Sequence, residues 1–397
     1  MSSTFVRNAS ELGIPDAAGP GFTRRPGWAF WAKDGRIAWI GPESEAPPEA
    51  RSAAVYDAAG RAVMPALVDA HTHLIYGGDR IADFSRRLEG KSYAEIAAEG
   101  GGIQTTVRAT RAASDTELLE RARIALARRR SLGIGTTEVK SGYGLDEATE
   151  LRTLRLVAEL RREGHDLAPT LLAAHSVPKD RPREAWIQSI IEGLIPEVAQ
   201  NALAQFCDVF VEKGAYTIEE ARRIFQAAKH HGLIPKLHAD QLTPGGGAEL
   251  AAEVGAASAD HLEHVSEAGL KRLAFGKVVA VLLPGALTYL GDRAPWLGRE
   301  LIEAGVQVAV ATDANPGSSP THNLPLMATL AATQMGLKVE EALRSVTLGA
   351  AHALRRDDVG TLALGARARF IVLEATDCRA LVASFGEPVV KDTVLLG

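Results

Sequence analysis

Two histidines separated by one residue close an apolar run, Ala66-Leu67-Val68-Asp69-Ala70-His71-Thr72-His73. Successive side chains of a strand point to opposite faces, so His71 and His73 project from the same face at the end of that run, where two imidazoles can share one metal ion. More residues of ligand type follow at the ends of later β-rich runs. His238 lies in Lys236-Leu237-His238-Ala239-Asp240-Gln241, His261 and His264 lie in the run that opens at Ser258, and Asp313 closes Val310-Ala311-Thr312-Asp313. Taken singly, each has a structural alternative: His264 as an exposed residue at a helix start, Asp313 as a helix cap or turn residue before Asn315-Pro316-Gly317. Taken together, imidazoles and a carboxylate finishing separate strands point to a metal site.

The elements that must position these residues are legible as a rhythm. Between about residues 64 and 355, eight β-rich runs alternate with helical stretches: Leu67 to His73, Ile134 to Lys140, Leu167 to His175, Phe206 to Glu212, Ile234 to Asp240, Ser258 to His264, Val278 to Leu283 and Val306 to Asp313. Such alternation predicts parallel strands with crossover helices, and eight of them predict an α/β fold of the (β/α)8 TIM-barrel type, whose chemistry sits where the strands end. Ser114 with Glu117 three residues on forms a capping box; that helix is expected to run through Leu126, with Gly133 beyond its end. Arg128-Arg129-Arg130 is then expected to be a solvated last turn favoured by the helix dipole. Residues 1–62 and 358–397 are rich in Gly, Pro and β-formers, and are assigned to one composite β-sandwich domain beside a barrel spanning 63–357.

The run Met64-Pro65-Ala66-Leu67-Val68-Asp69-Ala70-His71-Thr72-His73 resembles the first strand of the amidohydrolase superfamily. Glu138-Val139-Lys140-Ser141-Gly142-Tyr143-Gly144, Lys236-Leu237-His238-Ala239-Asp240, Ser258-Ala259-Asp260-His261-Leu262, Ala311-Thr312-Asp313-Ala314-Asn315-Pro316-Gly317-Ser318 and Gly100-Gly101-Gly102-Ile103 extend the resemblance. They are similar to the superfamily members that open the ring of 4-imidazolone-5-propanoate to N-formimidoyl-L-glutamate in histidine degradation. The resemblance implies a single Zn2+ or iron ion held by His71, His73, His238 and Asp313, with a position left open for water. It further implies substrate contacts from Arg80, Tyr93, Tyr143, His175, Gln241, Asn315, Gly317 and Ser318. Gln241 stands where some members carry a glutamate, and an amide orients by hydrogen bonding without taking up a proton. Glu212-Lys213 lies where binuclear relatives place a modified lysine, although the resemblance favours one metal. In Gly360-Thr361-Leu362-Ala363-Leu364-Gly365-Ala366-Arg367-Ala368-Arg369, Arg369 stands where an aspartate is common.

This chemistry assigns roles. Asp313 is expected to accept the proton of the attacking water and help deliver one to the departing ring nitrogen, with His261 beside it as a second base or oxyanion donor. The alternative for His261 is a structural histidine satisfied inside the barrel. Arg80 has a planar fork suited to a carboxylate tail, with Tyr143 as a hydroxyl donor; the alternative is a pair with Asp79 or Asp83.

Composition bounds the rest. The 397 residues are 46% hydrophobic, carry a net charge of −5 and have scattered basic clusters, so no electrostatic stripe for nucleic acid is present. Two cysteines, Cys207 and Cys378, exclude a disulfide scaffold or a cysteine-rich zinc site. No run approaches the roughly 18 apolar residues of a membrane span. The expectation is a cytoplasmic homodimer acting on a small molecule with a carboxylate tail, without nucleic-acid or membrane partners. A related deaminase acting on a neutral ring such as guanine or cytosine is the competing enzyme reading; a non-catalytic scaffold on this fold should have lost the ligand residues, all of which are present here.

Overall fold

A computed structural model describes residues 3–91, 95–96 and 99–396. Its centre is a parallel sheet of eight strands: β1 (Leu67–Asp69), β2 (Ile134–Lys140), β3 (Leu167–Ala174), β4 (Phe206–Val211), β5 (Ile234–Ala239), β6 (Ser258–His261), β7 (Val279–Leu282) and β8 (Val308–Val310). Neighbours in the chain are neighbours in the sheet, as crossover helices between parallel strands require. The sheet closes just beyond its ends. Thr72 bridges to Ala314, the Asp313 amide donates to the His71 carbonyl at 3.1 Å, and the His73 amide donates to the Ala314 carbonyl at 3.0 Å.

Alternation along the strands divides the barrel wall from its interior. On β2, Val139 joins Leu156, Val157 and Leu160 in the layer between sheet and helices. On β4, Cys207, Val209 and Val211 do the same, as do Leu237 and Ala239 on β5 and Ala259 on β6. The positions between them face inward. At the bottom, that interior is an apolar cluster containing Val68, Ala168, Phe206, Val279, Val281 and Ala309. One level up the inward positions are charged, and the histidines lie above them.

Two helices matter to the site. α1 (Ile81–Leu88) follows β1 and buries none of its side chains. α2 (Asp115–Ser131) starts at the Ser114–Glu117 capping box, both halves of which are formed. It continues past Leu126 and corrects the reading of its last turn: Arg129 is buried, because its guanidinium donates to Asp69, whose other oxygen accepts the Thr312 amide at 3.1 Å. The pair ties the helix to the start and end of the barrel.

The termini form two sheets. One contains Ser3–Arg7, Trp28–Lys33, Arg36–Pro42 and Ala54–Asp57; the other contains Glu11–Pro15, Phe22–Pro26, Val63–Pro65, Arg369–Leu373 and Val390–Leu395. Val6, Leu12, Phe30, Ile37, Val63, Phe370 and Val372 share a core between them. Arg369 now has a physical account. Its guanidinium donates to the Gly135 carbonyl and to Asp166, both at 2.9 Å, pinning the terminal sheet to the floor of the barrel.

Candidate metal centre and active site

Hydrogen-bonded β1 ends at Asp69, two residues before His71, but the Thr72 bridge keeps the chain extended and the two imidazoles adjacent, with ring centroids 5.3 Å apart. His238, at the inward position near the top of β5, brings its ring to 4.5 Å from that of His71. Asp313 completes the group: its Oδ1 lies 3.4 Å from His71 Nε2 and 3.5 Å from His73 Nε2. All four residues are at most 3% exposed. Two overlapping triads, His71–His73–Asp313 and His71–His238–His261, each have ligand atoms within 4.8 Å of one another.

The protonation states suit a cation. Burial first, then Lys140 and the neighbouring imidazoles for His71, and the His175 and His238 rings ahead of Lys140 for His73, hold both well below the usual histidine range. They are therefore neutral at pH 7, with lone pairs available for a metal. His71 Nδ1 faces Asp260 at 2.6 Å, which fixes that nitrogen as the donor and leaves Nε2 to the centre. Nε2 of His71 and Nε2 of His238 are buried without a hydrogen-bond partner. An unsatisfied buried polar atom costs about 1–3 kcal/mol, so two convergent ones beside a carboxylate are what a Lewis-acidic ion would satisfy.

Asp313 sits in unusual surroundings. Burial pushes its carboxyl up to about 6, against the pull of His261, His238, Asn315 and Ser318. Ser318 Oγ lies 3.2 Å from its Oδ2, and Asn315 Nδ2 donates to its backbone carbonyl at 2.6 Å. Asn315 Oδ1 in turn accepts the Gly317 and Ser318 amides, both at 2.8 Å, so these three expected contact residues first close the loop that holds Asp313. His261 behaves oppositely to the other histidines. Burial disfavours its charge, but Glu263, 3.4 Å away, with Asp313 and Asp260, outweighs burial and raises it. His261 and Leu262 both adopt left-handed backbone, φ 80° and 74°, a conformation costly for such side chains and common where a site dictates geometry.

Other expected residues flank this centre. His175 stacks on His73 with centroids 4.9 Å apart, and burial drives it down to about 3. Tyr143 packs against both rings. Gly142 precedes it at φ 111°, where an added Cβ would lie 2.9 Å from the Leu172 carbonyl oxygen. Glu150 fixes this loop by accepting the Gly142, Gly144 and Leu145 amides. Arg80 is nearly buried and pairs through Nε with Asp83, one of the alternatives weighed above, while its Nη1 reaches Gly317 on the loop after β8. Asp83 also accepts the Gly102 amide at 3.0 Å, which explains why Gly100-Gly101-Gly102 belongs to the same pattern. Gln241 is half-buried just past β5. Tyr93 lies outside the described residues. Lys213 is exposed, and Glu212 accepts the Leu242 and Thr243 amides, a loop anchor below the rim.

Sequence reasoning passed over Asp260, Asp208, Glu138, Lys140, Lys236 and Glu263. The signal was present: charged residues at alternate positions of otherwise apolar runs, Glu138 with Lys140 and Lys236 with His238, all directed inward.

The closed barrel with imidazoles and an aspartate at its strand ends defines the amidohydrolase class. Residues 298–397 match the model of the amidohydrolase family. Among solved structures, E. coli guanine deaminase aligns with a TM-score of 0.73 at 15% identity, covering 100% of this chain and 98% of that one. The 5-methylcytosine deaminase from Klebsiella pneumoniae aligns at 0.74 and 18%, covering 98% and 96%. At these identities the likeness shows the fold. Sequence similarity goes further. The chain is 48% identical over 354 residues to the imidazolonepropionase of Anaeromyxobacter dehalogenans (strain 2CP-1), covering 87% of this chain and 84% of the relative. It is 47% identical over 407 residues to that of Deinococcus radiodurans, covering 100% and 99%, and 46% identical over 393 residues to that of Myxococcus xanthus, covering 95% and 92%. The chain belongs to the imidazolonepropionase family.

Proposed function

We propose that this protein hydrolyses the ring amide of 4-imidazolone-5-propanoate, giving N-formimidoyl-L-glutamate. The observation that carries the chemistry is the convergence of buried, unpartnered imidazole nitrogens on Asp313; family membership carries the substrate. His71, His73, His238 and Asp313 are the proposed ligands of one Zn2+ or iron ion, which when bound supplies Lewis acidity and brings a water's pKa toward about 7.

The remaining work falls to the chain's own residues. Asp313, whose Oδ1 faces the His71 and His73 nitrogens, takes the proton of the attacking water at Oδ2, the oxygen beside Ser318, and returns it to the departing ring nitrogen. His261, whose ring Glu263 faces at 3.4 Å, donates an N–H to the carbonyl oxygen as negative charge develops there. The Arg80 guanidinium, oriented by Asp83, grips the propionate carboxylate from the mouth of the barrel. Tyr143, His175, Gln241, Asn315, Gly317 and Ser318, with Tyr93, line the ring and tail as further contacts. The buried site excludes bulk water around the reacting amide, which strengthens each of these interactions.

The test is direct. Purified protein loaded with Zn2+ or Fe2+ is expected to consume imidazolone propionate, followed by loss of its ultraviolet absorbance, without releasing ammonia. Ammonia release from guanine or cytosine, with the imidazolone untouched, would contradict the proposal.

A further inference from the structure

Beneath the imidazoles lies a layer of five charged side chains, Glu138, Lys140, Asp208, Lys236 and Asp260, each at most 1% exposed. Barrel interiors are ordinarily filled by branched aliphatic residues, and buried charge is costly unless tightly paired, so this layer calls for a reason. Lys140 Nζ lies 2.7 Å from Asp208 Oδ2, 3.0 Å from Glu138 Oε2 and 3.5 Å from Asp260 Oδ2. Lys236 Nζ lies 2.9 Å from Glu138 Oε1 and 3.0 Å from the Ala70 carbonyl, but 4.0 Å from Asp260.

The same carboxylate oxygens that Lys140 holds also face upward. Asp260 Oδ2 is hydrogen-bonded to His71 Nδ1 at 2.6 Å; Asp208 Oδ2 lies 3.0 Å from His238 Nδ1 without hydrogen-bond alignment, and Asp208 holds His238 through Oδ1, which accepts its amide at 3.2 Å. One ammonium therefore stands behind two imidazoles at once. It also fills a place a cation would otherwise contest, since His71, Glu138 and Asp260 by themselves form a triad with ligand atoms within 4.8 Å.

We propose that Lys140 is a positioning residue for the metal centre: its ammonium locks Asp208 and Asp260 so that His238 and His71 present Nε2 upward to a single ion. The proposal rests on the ligand assignment above. Lys236, farther from both carboxylates that touch histidine, serves the layer without setting the imidazoles.

The test compares metal-stripped wild type, Lys140→Met, Asp260→Asn and Lys236→Met. Zn2+ affinity is read by competition with a chromophoric chelator, and the melting temperature of each metal-free protein is recorded beside it. Orienting partners of metal-bound histidines typically contribute about 10- to 100-fold to affinity. Lys140→Met and Asp260→Asn are expected to lose that much, and Lys236→Met less than about threefold, whatever their melting temperatures. Lowered melting temperatures with unchanged Zn2+ affinity in Lys140→Met and Asp260→Asn would overturn the proposal by making the layer purely structural. If Lys140→Met does not fold, Lys140→Gln, which keeps a polar group of similar length without the charge, is read by the same two outcomes. A His238→Ala variant that takes up Zn2+ as tightly as wild type would overturn the ligand assignment itself, a result distinct from variants of the layer binding normally.

Discussion

Asp313 is where the functional account is most exposed, because one carboxylate is asked both to bind the ion and to move a proton. Asp313→Ala should lower kcat by at least about 10²- to 10⁴-fold, the usual contribution of a positioned acid or base, and near-normal turnover would remove it from the reaction. Arg80 makes a separate demand. A charged hydrogen bond contributes about 1.5–3 kcal/mol, so Arg80→Met should raise KM for the propionate substrate roughly 10- to 100-fold while an uncharged ring analogue binds almost as before. Equal losses for both would assign Arg80 to the Asp83 pair alone. At this scale the histidines and Asp313 were readable because metal-binding residue types at strand ends rarely coincide by chance. Asp260 and Lys140 were not, because a buried charge within a strand becomes meaningful only once the inward face is known. Arg129 misled for a similar reason: three consecutive arginines at a helix end look solvated until the partner, Asp69, is placed beneath one of them.

The elements position the site through their ends. β5 ends one residue past His238 and one before Asp240, β6 ends at His261, and β8 ends three residues before Asp313; the chain turns there through positive φ at Asp240, His261 and Asp313. Short β-rich runs alternating with helical stretches made eight strands visible in the sequence, with limits within a few residues of those observed. The capping box at Ser114 was equally visible because its two residues are local. Packing between distant elements was not. The Arg129–Asp69 pair joins α2 to β1 and to the start of the Asp313 loop, so Arg129→Met leaves a buried carboxylate unpaired and should cost about 3–5 kcal/mol, measured by chemical denaturation. Loss of under about 1 kcal/mol would mean that Thr312 alone satisfies Asp69.

For the whole molecule, the concentration of buried histidine sets a pH response. Burial depresses His71 and His73 far below about 6.5, His175 to about 3 and His322 to about 4, so below pH 6.5 the unfolded chain binds protons that the folded chain refuses. Stability of the metal-free protein is therefore full above about pH 6.5 and is lost as pH falls. Asp313 and His261, both raised, act in the opposite direction but are outnumbered. Melting in excess chelator should drop by roughly 5 °C or more between pH 7 and 5; an unchanged or rising melting temperature would contradict the burial of neutral imidazoles. Among the described residues, no helix is long and apolar enough to cross a membrane. The terminal sheets clasp the barrel floor through Arg369, far from the strand ends where the chemistry gathers. The proposed chemistry depends on those strand ends meeting around one cation. The most direct measurement is an anomalous-difference map of crystals grown with Zn2+. It should show one peak per chain, about 2.0–2.2 Å from nitrogens of His71, His73 and His238 and an oxygen of Asp313. A peak elsewhere, or two peaks of equal height within the barrel, would contradict the account.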